Sequence, residues 1–107
     1  MGSFSLSDLE TIISARAGED ADASYTASLL GKGVEKCAEK FGEEAIEAII
    51  AAVAKNGPGL VNETADVLFH LLVLLKASDI TLEEVMQELK RRTGQSGHSE
   101  KASRQGH

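Results

Sequence analysis

VEKCAEKFGEEAIEAIIAAVAKNGPGLVNETADVLFHLLVLLKA, residues 34–77, contains two long apolar-periodic runs divided by Asn56-Gly57-Pro58-Gly59. From Val34 to about Lys55 the apolar positions Val34, Cys37, Ala38, Phe41, Ala45, Ala48, Ile49, Ala52 and Val53 recur at spacings of three and four, the period of a helix. Gly42 interrupts this run at a cost of about 1 kcal/mol relative to Ala, and a glycine there can admit a backbone or a ligand. The four residues 56–59 read as a break and turn. A second helix then runs from about Leu60 to Ala77, with Glu63, Asp66 and His70 on one side of its first half. Its second half, Leu71 to Leu75, is apolar all round, which requires cover from other helices or a second subunit. That run is therefore expected at or near a subunit interface.

The flanking segments extend the same pattern. Ser5 is placed to cap a first helix, with Asp8 at the third position and Phe4 and Leu9 as a hydrophobic staple. This helix ends near Gly18. Ser24 caps a short helix through Leu30, closed by Gly31-Lys32-Gly33. Thr81 caps a last helix, with Glu84 at its third position and an Ile80–Val85 staple, and Thr93-Gly94 stops it. No β alternation occurs anywhere. The reading is an all-α, compact bundle of about five helices, residues 1–94, followed by a polar, basic tail, residues 95–107.

A chain of 107 residues is one domain, small for burying a core alone. With four aromatic residues and no Trp, its core is aliphatic, and a second subunit would add burial, so a dimer is expected. The single Cys37 excludes an internal disulfide and reads as packing; there is no Cys/His cluster for zinc. No signal-peptide pattern opens the chain, and Val67–Leu75 is too short to span a bilayer, so a soluble cytoplasmic protein is expected. The net charge is −6, with residues 1–89 at −10 and residues 90–107 at +4. An acidic body argues against nucleic acid as a partner. The basic segment, Lys90, Arg91, Arg92, Lys101 and Arg104, is suited to a small phosphorylated ligand or to solvent.

Two acidic pairs interrupt the apolar runs: Glu44-x-x-Glu47 and Glu63-x-x-Asp66. Residues three apart share a helix face, roughly 5–6 Å between Cβ atoms. Helices joined by a tight turn can bring both pairs face to face. Four carboxylates so placed repel one another and lose solvation unless a cation lies among them. Mg2+ takes oxygen ligands and works alongside substrate phosphates, so the pattern reads as a metal site facing a polyphosphate. Lys36 and Lys40, one and two turns from Glu44, offer charges for phosphate oxygens; their bland role is pairing with acidic neighbours on the same helix. Glu43 and Glu44 point about 100° apart, so only one can share Glu47's face. His70 reads as a hydrogen-bonded core or interface residue rather than a ligand, and Tyr25 and Thr26 as residues within reach of one.

The order Ser24-Tyr25-Thr26, then Gly33-x-x-Lys36-x-x-x-Lys40-x-Gly42-Glu43-Glu44-Ala45-x-Glu47, then Glu63-x-x-Asp66-x-x-x-His70-Leu71-Leu72 resembles the phosphoribosyl-ATP pyrophosphohydrolases of histidine biosynthesis. The resemblance runs from about Leu6 to Arg104. ExxE, a spacer and ExxD are shared with the wider all-α nucleoside triphosphate pyrophosphohydrolases; here the spacer is the fifteen residues 48–62. The segments Gly42-Glu43-Glu44-Ala45 and His70-Leu71-Leu72 point to the histidine branch. What the resemblance implies is Mg2+-dependent hydrolysis of phosphoribosyl-ATP to phosphoribosyl-AMP and pyrophosphate, by a helical protein that is at least dimeric. It implies Glu44, Glu47, Glu63 and Asp66 as metal ligands, Glu44 and Glu47 as catalytic residues, and Lys36 and Lys40 as substrate-binding. Which carboxylate orients or deprotonates the attacking water stays open.

Two other readings compete: a housekeeping pyrophosphohydrolase for ordinary or damaged nucleotides, and a non-catalytic helical dimerisation module whose carboxylates form a solvated face. Substrate turnover separates the first from the histidine-pathway reading, and metal binding tests the second. A di-iron bundle would need Glu-x-x-His, which none of the acidic positions provides.

Overall fold

In the computed structural model, which describes residues 2–94, the quoted stretch forms α3 (Val34–Val53) and α4 (Gly57–Ala77), an antiparallel hairpin. Around it lie α1 (Leu6–Ala17), α2 (Tyr25–Gly31) and α5 (Leu82–Thr93). Among the described residues there is no strand. The tail 95–107, with Lys101 and Arg104, lies outside the described residues.

Local chemistry sets the helix starts. Ser5 Oγ accepts from the Asp8 N–H at 3.1 Å while Asp8 accepts from the Ser5 N–H at 3.0 Å. Thr81 and Glu84 repeat the same reciprocal box at 3.1 and 2.8 Å. Ser24 caps α2 through the Ala27 N–H. Phe4 remains mostly exposed, so the staple expected of it buries little.

The hairpin turn differs from expectation in an informative way. α4 begins at Gly57 rather than near Leu60, so Pro58 and Gly59 lie in its first turn. Pro is tolerated there because its missing N–H has no helical partner to lose. Asn56 caps the helix by accepting from the Gly59 N–H at 3.1 Å, and a Cβ at Gly59 would collide with that Asn56 side chain. The chain reverses at Ala54–Asn56, with Lys55 in the left-handed region at φ 59°.

The core is Ile13, Leu29, Cys37, Leu72, Val73 and Leu82, with Leu9, Leu30, Phe69, Leu74, Leu75 and Ala77 packed against it. Cys37 is a core residue, as expected: its Sγ donates to the Leu29 carbonyl and burial pushes the thiol up. Leu72 and Val73 are thus enclosed by the chain's own helices. α1, α2 and α3 pack on α4, while Leu71, Leu74 and Leu75 of the run expected at or near a subunit interface are only partly buried by the chain's own helices. By length and composition α4 could cross a membrane, the one such helix among the described residues. Three other helices, α1, α2 and α3, pack on it.

The face α3 turns inward is made largely of small residues. Cys37 and Ala51 are buried, and Phe41, Glu44, Ala45 and Ala48 are half-buried. The bulky residues point out: Ile46, Ile49, Ile50 and Val53 are exposed, Val53 at 79%, with Val61 of α4 also bare. Ile49 and Val53, periodic with the core positions in sequence, therefore do not face α4. Small side chains let the two backbones approach, and that approach brings Glu44 to α4.

α5 is held loosely. Leu82 enters the core, and Glu10 of α1 accepts from the Leu82 N–H at 2.8 Å, so a carboxylate meets the positive end of the helix. Replacing Glu10 with Ala should cost about 1.5 kcal/mol, the lower range for a hydrogen bond to a charged group. Hydrogen exchange should quicken in α5 first, with α3 and α4 still protected; uniform quickening would show that α5 does not open independently.

Candidate metal centre

Glu44 lies on the half-buried inner face of α3, while Glu63 and Asp66 lie one turn apart on α4. One carboxylate oxygen from each of the three falls within 4.8 Å of the others. Glu63 Oε2 is shut off from solvent and has no hydrogen-bond donor among the described residues. A buried oxygen of this kind is costly unless something positive completes it. The donor set is all oxygen, the set that suits a hard divalent cation. These residues fit such an ion.

Glu47 stands apart from the tight group. It is exposed, and its carboxyl faces that of Glu63 closely enough for a shared proton to be favoured. That contact, then burial, then the charges of Glu47, Glu44 and Asp66, raise the Glu63 carboxyl above its ordinary value. Both residues also line a hollow of about 290 Å³ with Ile50, Ala51, Asn56 and Gly59, at the turn end of the hairpin. Of the four carboxylates read from sequence, the structure therefore clusters three and sets Glu47 beside Glu63. Glu44, not Glu43, is the one that turns inward.

Lys40 and Lys36 take the bland role in the free chain. Lys40 Nζ pairs with Glu43 at 3.1 Å and Lys36 Nζ with Glu39 at 3.2 Å. The Glu43 contact raises Lys40, with smaller contributions from the nearby Tyr25 and Glu44. Exposed pairs of this kind contribute little because solvent screens them, so a phosphate can displace them at little cost. Beyond its own helix backbone, a Cβ at Gly42 would meet nothing within 4 Å among the described residues, so the space beside it is open there. In α5, Arg91 and Arg92 both bind Glu88, at 2.6 and 2.9 Å, and hold its carboxyl down to about 2.

His70 is a hydrogen-bonded core residue, 5% exposed. Its Nδ1 lies 2.8 Å from the Asp66 backbone oxygen and its Nε2 lies 3.0 Å from the Tyr25 hydroxyl. The Tyr25–His70 contact spans 45 residues, and no periodicity signals it. Only the placement of a histidine in an apolar run pointed to it.

The chain matches the model of the family described as phosphoribosyl-ATP pyrophosphohydrolase over residues 6–93. It is 63% identical over 99 residues to a phosphoribosyl-ATP pyrophosphatase of Dinoroseobacter shibae, covering 92% of this chain and 97% of that one. It is 60% identical over 100 residues to one of Azorhizobium caulinodans, covering 94% and 92%. A relative of the same name from Agrobacterium fabrum is 57% identical over 104 residues, 97% of each chain.

The raised Glu63 carboxyl has a pH signature in metal-free protein. The folded state holds that proton more tightly than the unfolded chain, so this group weakens folding as pH rises from the ordinary carboxylate value through the raised one. Above that window the full penalty remains. In EDTA, Glu63→Gln should therefore melt higher than wild type at neutral pH, and the gap should close on acidification below the ordinary carboxylate value. A variant that melts lower than wild type at pH 7 would contradict the repulsion.

Proposed function

Because the chain belongs to the phosphoribosyl-ATP pyrophosphohydrolase family, we propose that it hydrolyses phosphoribosyl-ATP to phosphoribosyl-AMP and pyrophosphate in histidine biosynthesis, with Mg2+ held by Glu44, Glu63 and Asp66. The observation that carries the metal assignment is the convergence of these three carboxylates around a buried, unpartnered Glu63 oxygen. Mg2+, when bound, supplies positive charge against the triphosphate and the leaving pyrophosphate.

The chain's own residues do the rest. Glu47, beside the cluster but outside its tightest group, has a carboxylate available to accept the proton of the attacking water. It extends the ligand set if the cation shifts toward Glu63. Water adds at the α-phosphorus, the bond from the α-phosphorus to the bridging oxygen breaks, and pyrophosphate leaves. Lys40, and Lys36 one turn away, exchange Glu43 and Glu39 for phosphate oxygens. The four carboxylates read from sequence thus keep a role each.

We place the working form as a soluble cytoplasmic homodimer. The support for the dimer is the bare stripe of Ile46, Ile49, Ile50 and Val53 with Val61. A strip of large aliphatic side chains at helical spacing is the surface a second copy would cover. Residues 95–107 are proposed as a tail whose Lys101 and Arg104 act on substrate encounter.

Pyrophosphate release should be much faster with phosphoribosyl-ATP than with ATP or a dNTP; comparable kcat/KM would favour the housekeeping reading. Glu47→Gln should lower kcat about a hundredfold or more, an order set by loss of a general base, and Asp66→Asn should lower activity sharply by removing a charged metal ligand, both with the helical circular dichroism unchanged. Near-full activity in either at low Mg2+ would remove that residue from the site. Light scattering should give a dimer, and Ile49→Lys should yield monomer; a wild-type monomer at micromolar concentration would contradict the interface.

A further inference from the structure

We propose that Tyr25 and His70 form a positioning pair that fixes the turn of α4 carrying Asp66 and ties the start of α2 to the acidic site. The proposal rests on the metal-site reading above. His70 occupies a position in the apolar half of α4 where a leucine could be enclosed by the same neighbours. What a histidine adds is two directional bonds. A backbone carbonyl can only accept, so Nδ1 carries the hydrogen and donates to the Asp66 oxygen at 2.8 Å. Nε2 then presents its lone pair, and the Tyr25 hydroxyl donates to it across 3.0 Å. The tautomer follows from the partners.

In an α-helix the Asp66 carbonyl also accepts the backbone N–H of residue 70. Two donors of one residue thus converge on the peptide unit that follows Asp66, and they limit the rotation that would swing its carboxylate away from Glu44 and Glu63. The other end of the pair is equally fixed. Tyr25 stacks on Phe69 with ring centres 6.2 Å apart and planes at 22°, and meets the His70 ring edge-on at 5.9 Å. Its neighbours Ser24 and Thr26 are buried, so the start of α2 is seated in the core. Yet Tyr25 remains 54% exposed, and Lys40 of α3 lies close enough to it for an electrostatic interaction, with Glu44 near that same Lys40. Three helices meet near one phenol, which reaches the Asp66 backbone through His70 and lies near Lys40. Catalytic geometry tolerates little looseness in such supports.

The test separates positioning from packing. Tyr25→Phe removes one oxygen and keeps both rings. The double variant Tyr25→Phe, His70→Leu removes both hydrogen-bonding partners, so no buried nitrogen is left orphaned and thermal stability should stay near wild type. Mn2+ binding, followed by the loss of free-ion electron paramagnetic resonance signal, should nonetheless weaken about tenfold in the double variant, the scale on which supports outside the ligand shell act. Its kcat at saturating metal should fall in the same range, with KM changed less, and Tyr25→Phe should show a smaller effect of the same kind. A folded double variant with wild-type Mn2+ affinity and kcat would overturn the proposal. If the double variant does not fold, wild-type Mn2+ affinity in folded Tyr25→Phe overturns it instead. Mn2+ binding by a wild type that does not hydrolyse phosphoribosyl-ATP would overturn the substrate reading alone. No Mn2+ binding by wild type would overturn the metal site and this proposal together.

Discussion

Like charges held together in a helix hairpin are the constraint on which this molecule turns. Glu44, Glu63 and Asp66 bring their oxygens within 4.8 Å of one another, and Glu47 crowds Glu63 from the side. Carboxylates at that spacing oppose folding, and the cost grows where an oxygen such as Glu63 Oε2 has lost water without gaining a donor. The rest of the fold supplies what is needed to hold them there. α4 is anchored by Leu72 and Val73, and α1 and α2 close over it. A domain of this size has only a modest margin of stability, so an arrangement that spends part of it is best understood as completed by a cation.

The composition of α3 links this site to the proposed partner subunit. Alanines on the inward face allow close approach to α4, and that approach places Glu44 opposite Glu63. The aliphatic bulk displaced from the inner face emerges as the stripe Ile46, Ile49, Ile50 and Val53. One helix thus has two faces of different composition. A core built from larger residues on the inner face would hold the hairpin wider and separate the carboxylates.

Much of this was legible in the residues. The five helices, both capping boxes and the Ser24 cap follow from short-range chemistry, because a serine or threonine bonds an amide three residues away and needs nothing else. The acidic pairs were legible because helical spacing places Glu63 and Asp66 on one face whatever the tertiary fold. The start of α4 was not, since Asn56 turns an apparent loop into a capped helix in which Pro58 is harmless. Nor was the direction of α3: Ile49 and Val53 have the period of core residues, but period alone does not say which of two apolar stripes meets α4. The enclosure of Leu72 and Val73 within one chain and the bond from Tyr25 to His70 depend on contacts far apart in sequence, which no local pattern records.

The account stands on the carboxylate group being a cation site, and thermal unfolding measured against Mg2+ tests it most directly. A cation that binds only the folded chain stabilises it by RT ln(1 + [L]/Kd), so the melting temperature should keep rising with the logarithm of Mg2+ concentration above Kd. NaCl at matched ionic strength reproduces the general screening but not the coordination. A continuing rise in Mg2+ beyond the NaCl control is the predicted result. Identical melting curves in Mg2+ and in ionic-strength-matched NaCl would contradict it.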